Sequence, residues 1–118
     1  MPQLAPCPNS PNCVSSQAAD EGHTIAPLRY QRDRREALTR LKQVVGSLPR
    51  TQLVEERDDY LRFEAMSFLF RFVDDVEFLF DDATKTIHCR SASRTGYGDF
   101  GVNRRRIETI RAQVAGTI

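Results

Sequence analysis

The chain has 118 residues, a formal net charge of +1, 28% charged and 40% hydrophobic residues, and no tryptophan. That length suits one domain that buries roughly two thirds of its unfolded surface without staples or metals. The near-neutral balance argues against a nucleic-acid partner held by bulk electrostatics. No apolar run is long enough to span a membrane, and Met1 to Asn9 has neither a charged n-region nor an apolar h-region, so the cytoplasm is the expected location.

Residues 1–32 hold five of the six prolines and no sustained periodicity. They read as an extended arm with turns at Pro8-Asn9-Ser10-Pro11 and Glu21-Gly22, laid across the domain and tethered by Ile25, Leu28 and Tyr30. Residues 33–118 read as a single domain. From Asp33 the apolar positions Ala37, Leu38, Leu41, Val44, Val45 and Leu48 recur at helical spacing. Asp33 is a natural N-cap with Glu36 three positions later, and the helix should end near Gly46 before Pro49. Thr51 to Glu56 and Tyr60 to Met66 flank Asp58-Asp59 as a hairpin, which sets Glu55 opposite Arg62. The aromatic-rich stretch 68–72 reads as a connection. Val76 to Asp81 and Thr86 to Ser93 form a second hairpin, in which Phe80 faces Ile87, Phe78 faces Cys89 and Val76 faces Ser91, with Glu77 opposite Arg90 on the other face. The last helix is expected to be capped by Asp99, with Phe100, Asn103, Ile107, Ile110 and Val114 on one buried stripe. The expected fold is therefore α+β: a four-stranded antiparallel sheet of two hairpins with two helices on one face.

Charge is segregated along the chain. Glu55 to Asp82 holds ten acidic against three basic residues, whereas Arg90 to Ile118 holds six basic against two acidic, and all the basic residues except Lys42 and Lys85 are arginine. Arginine favours bidentate pairing with carboxylates or phosphates. The densest chemistry lies in Arg90-Ser91-Ala92-Ser93-Arg94-Thr95-Gly96-Tyr97-Gly98-Asp99-Phe100-Gly101-Val102-Asn103-Arg104-Arg105-Arg106, where a strand passes through a glycine-punctuated loop into a helix. Helix-start amides and guanidinium forks together favour an anion. The candidate anion-binding residues are Arg90, Ser91, Ser93, Arg94, Tyr97, Arg104 and Arg105, with Arg94, Arg104 and Arg105 converging on one ion. A structural network competes with this reading, with Arg90 on Glu77 and Arg94 on Asp74 or Asp75. Asp99 and Asn103 are expected to be structural, the Asn103 carboxamide bonding the Arg94 to Gly98 loop.

Other chemistries are weaker. Asp74, Asp75 and Glu77 invite a divalent cation, but adjacent strand residues face opposite ways, so arginine pairing is preferred and no metal is expected. Cys7 and Cys13 are either a surface disulfide or two thiols. Zinc is disfavoured because five intervening residues exceed the usual spacing and the other ligands would have to be His23, His88 or Cys89. His88 faces away from Ser91 and Ser93 on a strand, and no nucleophile elbow, zinc-protease or phosphate-loop motif is present. No cofactor is expected.

Three separated stretches carry a resemblance: Cys7-Pro8-Asn9-Ser10-Pro11-Asn12-Cys13-Val14-Ser15-Ser16, Phe72-Val73-Asp74-Asp75-Val76-Glu77-Phe78, and the segment from Arg90 to Ile107. Together they resemble the family known as domain of unknown function 1499 over nearly the whole chain. The resemblance implies no particular activity; similar proteins are small bacterial and plastid ones, some with an N-terminal membrane or export segment. Cys89 sits where similar sequences are expected to carry an aliphatic residue. Two functions follow: a binding or accessory module that holds an anionic small molecule or an acidic protein segment through the arginine loop, or an enzyme on a phosphorylated or carboxylated substrate with Asp74, Asp75 or Tyr97 as acid or base.

Overall fold

A computed structural model describes residues 3–67 and 72–118. Its elements run β1 (Cys13–Ser15), β2 (Leu28–Arg29), α1 (Arg34–Gly46), β3 (Thr51–Arg57), β4 (Tyr60–Met66), β5 (Val73–Asp81), β6 (Thr86–Ser93) and α2 (Val102–Val114). The connection read over 68–72 lies outside the described residues apart from Phe72.

The fold is α+β, but its sheet has six strands rather than four. Both hairpins form in the expected register, with Glu55 opposite Arg62, Phe80 opposite Ile87, Phe78 opposite Cys89 and Glu77 opposite Arg90. The two extra strands come from the arm. Strand β1 pairs antiparallel with residues 90–92 and β2 with residues 86–87, so together they cover the free edge of β6. An uncovered edge would leave a row of unpaired N–H and C=O groups, which explains why the arm is drawn in. Three- and two-residue strands are too short for alternation to reveal them. The arm's Ile25, Leu28 and Tyr30 are all buried in the main core.

That core lies on one side of the sheet. Leu61, Phe63, Val76, Phe78 and Ile87 meet Leu41 and Val45 of α1 and Ile107 and Ile110 of α2, all fully or almost fully buried. Helix α1 begins where expected, the Asp33 carboxylate accepting the Glu36 N–H at 2.7 Å. Helix α2 departs from expectation at its start. Its N-cap is Gly101, in the left-handed region at φ 78°, and not Asp99. Phe100 also lies in that region, at φ 54°, and is 96% exposed instead of joining the buried stripe. The left-handed pair turns the chain sharply into α2, which swings the Phe100 side chain outward while Asn103, Ile107, Ile110 and Val114 stay buried.

Candidate functional site

The sheet's geometry collects the chemistry at one end, where β4 and β6 finish and β5 and α2 begin. Strand alternation then divides it between two faces.

On the helix-covered face a polar network replaces hydrocarbon. The Asp74 carboxylate, 5% exposed, pairs with Arg106 at 2.8 Å. Arg106 also donates to Asn103 Oδ1 at 2.8 Å and to Ser91 Oγ at 3.0 Å. Asn103, fully buried, accepts the Ser91 hydroxyl at 2.6 Å, and its amide nitrogen donates to Asp99 Oδ2, to Ser93 Oγ and to the Asn12 carbonyl. Asn103 therefore points inward as expected, but the loop before α2 is held by a different residue. Asn12, 2% exposed, donates through Nδ2 to the carbonyls of Gly96 at 2.9 Å and Thr95 at 3.4 Å, and its own carbonyl accepts the Ser93 N–H.

Asp99 does a cap's work from outside the cap position. Its two oxygens accept the N–H of Gly101 at 2.8 Å and of Asn103 at 3.1 Å, as well as the Asn103 side-chain amide at 2.8 Å. Burial pushes the Asp99 carboxyl up, yet these three donors more than reverse that and hold it below the ordinary aspartate value.

On the opposite face lie Arg90 and Arg94. Arg94 grips Asp75 in a bidentate pair, both contacts at 2.8 Å, and reaches Glu64 at 2.6 Å. The Arg94 guanidinium holds the Asp75 carboxyl below its usual range, against the effect of burial. Arg62 adds to the cluster through Glu55 at 3.3 Å and Asp75 at 3.2 Å. Arg90 pairs with Glu77 at 3.4 Å and donates to the Pro6 carbonyl at 3.3 Å, while its Nε is buried with no acceptor among the described residues. Glu77 also accepts the Tyr60 hydroxyl at 2.6 Å; burial, then that bond, raise the Tyr60 phenol well above its ordinary value.

Of the remaining candidates, Tyr97 and Arg105 are exposed and Arg104 is half-buried. Tyr97 is 71% exposed. Arg104 donates to the carbonyls of Thr24 at 2.9 Å and Gly22 at 3.4 Å, and Arg105 to the Phe100 carbonyl at 2.7 Å. The seven sequence candidates thus fall into three groups: Arg90 and Arg94 on the open face, Ser91 and Ser93 in the buried network, and Tyr97, Arg104 and Arg105 outside. Arg94, Arg104 and Arg105 share no acceptor. Of the two carboxylates offered to it, Arg94 takes Asp75, whereas Asp74 takes Arg106. Asn12, Glu64 and Arg106 were missed. Arg106 is legible in retrospect, three positions beyond Asn103 on the same helical face; nothing local marks Asn12.

Cys7 and Cys13 form a disulfide, which excludes them as zinc ligands. Among the described residues no group of three or more His, Cys, Asp or Glu is placed to hold a metal ion, and no helix is long and apolar enough to cross a membrane. A cleft of about 260 Å3 beside the loop is lined by Pro11, Val14, Gly98, Phe100 and Arg104, among others.

Fold and network define a small α+β domain in which an N-terminal arm and the loop before the last helix are knitted together by buried asparagines. The chain belongs to the family described as protein of unknown function (DUF1499), whose model matches residues 3–114. Neither the curated proteins nor the solved structures contain a significant match to it.

Proposed function

We propose that this protein is a non-enzymatic binding or accessory module whose working surface is the 94–101 loop with the first turn of α2, and whose partner is an acidic protein segment carrying an apolar side chain. The observation that carries the reading is Phe100. A non-glycine residue at φ 54° costs about 1–2 kcal/mol, and a phenylalanine 96% exposed returns none of that through burial. Arg50 and Lys85 share this backbone region at φ 53°, but Phe100 alone of the three puts a large apolar side chain into water there, which supports a surface kept for contact. Tyr97, 71% exposed, lies three positions earlier on a loop that Asn12 and Asp99 brace from behind, and rigid aromatic anchors near arginine are what interfaces concentrate.

Charge supports the same partner. Arg104 and Arg105 donate to neutral carbonyls, and neither forms an ion pair among the described residues, so their positive charge is not cancelled. The nearby Asp99 carboxylate is turned into helix amides. Arg94 is assigned to the scaffold instead, because an incoming anion would have to displace two carboxylates. The enzyme reading has less support, because both Asp74 and Asp75, two of its three candidate acid–base groups, are occupied by arginines. A cytoplasmic location also loses weight, since a Cys7–Cys13 bridge favours an oxidising compartment.

The test is a fluorescence-anisotropy titration with a labelled peptide of alternating glutamate and leucine. The parent protein is expected to bind it, with affinity falling as salt rises, and the double variant Phe100→Asn/Arg105→Ala is expected to lose most of that binding while melting no lower than the parent. Absence of binding by the parent, or equal binding by the double variant, overturns the reading.

A further inference from the structure

Residues 3–9 run back over the open face of the sheet with few ties to it. The Leu4 N–H donates to Gln17 Oε1 at 2.8 Å, the Pro6 carbonyl accepts from Arg90 at 3.3 Å, and the Leu4 side chain packs on Tyr60 and Leu79. Gln3, Ala5, Pro6, Pro8 and Asn9 are exposed. Fixing the backbone of seven residues costs more conformational entropy than one buried leucine and two hydrogen bonds return. What makes up the difference is covalent: Cys7 is bonded to Cys13, which is fully buried at the start of β1.

The closed arrangement also carries a polar penalty. Beneath the segment, the Arg90 side chain is 13% exposed and Glu77 15%, and Arg90 Nε is buried with no acceptor among the described residues. Lifting the segment would let water reach that nitrogen and would uncover Tyr60 and Leu79, now 7% and 6% exposed. The core would not follow, because β1 is held to β6 by its own ladder and by Val14 on the opposite face.

We infer that residues 3–9 are a strap and that the Cys7–Cys13 disulfide is its redox latch, opened by a dithiol reductant to uncover a patch formed by Tyr60, Leu79 and the Glu77–Arg90 pair. The latch is independent of the 94–101 surface. Cys7 is the partly exposed residue of the pair and Cys13 the fully buried one, so a thiolate of the dithiol attacks Cys7 Sγ, forms a mixed disulfide and expels Cys13 as a thiolate, which takes a proton from solvent. The second thiolate of the dithiol then attacks its partner sulfur in the mixed disulfide and closes the reductant's own ring. Cys7 leaves and is protonated. Two electrons and two protons have passed from the dithiol to the protein.

The experiment is NMR relaxation on the full chain, oxidised, reduced with dithiothreitol, and as Cys7→Ser. In the oxidised protein the amides of residues 3–9 are expected to have order parameters near the rigid value of about 0.85, falling below about 0.6 on reduction and in Cys7→Ser. The nuclear Overhauser contacts from the Leu4 methyls to the Tyr60 ring should vanish with them, while the shifts of β4, β5 and β6 core residues stay in place. Dithiothreitol should change nothing further in Cys7→Ser. A strap that stays ordered after reduction overturns the latch. So does loss of the β5 and β6 signals on reduction, because the disulfide would then hold the whole domain and not the strap.

Discussion

Removing the Asp99 carboxylate by Asp99→Ala tests the link between loop, helix and buried network in one residue. Three donors lose their acceptor: the N–H groups of Gly101 and Asn103 and the side-chain amide of Asn103. A hydrogen bond to a charged group contributes about 1.5–3 kcal/mol, and loss of an ordinary cap costs about 1 kcal/mol. The three bonds share one carboxylate, and Asn103 keeps Ser93 and the Asn12 carbonyl as acceptors, so the terms do not add fully. The expected loss is about 3 kcal/mol, read in urea melts with an unchanged slope, or about 12 °C in melting temperature for a chain of this size. Asp99→Asn, which keeps one carbonyl oxygen, should lose about half as much. The effect has a pH signature with a definite sign. Because the folded-state value is depressed, the difference between parent and Asp99→Ala is complete above the ordinary aspartate value of about 3.9 and shrinks, as pH falls through the lower folded-state value, to the share that the uncharged carboxyl keeps through its carbonyl oxygen. A loss below about 1 kcal/mol would reduce Asp99 to an ordinary exposed cap, and a loss that persists unchanged in acid would refute the electrostatic account.

Phe100→Asn should raise stability by about 0.5–1 kcal/mol, since asparagine tolerates the left-handed region better; destabilisation in urea melts would mean that Phe100 packs in solution. His23 donates from Nε2 to the Ser10 carbonyl at 2.8 Å and pairs through Nδ1 with Asp20 at 2.6 Å, an arrangement that suits the imidazolium and raises its pKa, the Ser10 carbonyl first and Asp20 second. Its contribution should therefore be complete below about pH 6.5 and fade as pH rises through the raised folded-state value; an imidazole titration midpoint at or below 6.5 would contradict this. Burial pushes the Cys89 thiol up to about 11, so a disulfide reagent at pH 8 should label no thiol of the oxidised native protein until it unfolds. Fast labelling would show that Cys89 is reached through local opening.

Local signals carried most of the fold and little of the site. The helix from Asp33 and both hairpins were legible because their periodicities persist for seven or more residues and because charge pairs such as Glu55 with Arg62 and Glu77 with Arg90 lock the register. The arm was legible only as a tether. Its strands are dictated by the open edge of β6, 57 to 79 residues away, and no local pattern can carry that. The site failed for a related reason. Arginines adjacent in sequence were grouped together, yet alternation sends Arg90 and Arg94 to one face and Ser91 and Ser93 to the other, and each arginine takes the nearest unpaired acceptor. The register that placed Glu77 opposite Arg90 already implied this split.

Where sequence reasoning and structure part most sharply is residues 99–101, and the direction of the departure is informative. Apolar spacing put Phe100 in the core; the backbone puts it in water, in a conformation that Gly101 beside it adopts freely and that phenylalanine does not. A mutually consistent sequence would place glycine or asparagine at position 100, bury nothing and lose nothing. Local choice and global fold usually agree, and the exceptions concentrate where a surface serves something other than its own stability. The surrounding residues have the opposite character: Asn12, Asp99 and Asn103 spend their hydrogen-bonding capacity on fixing the loop from behind. On the proposed reading, a strained, exposed aromatic on a braced loop, near Arg104 and Arg105, which form no ion pair among the described residues, is preorganised for contact. The buried network is therefore better read as the support of a surface than as a site in its own right.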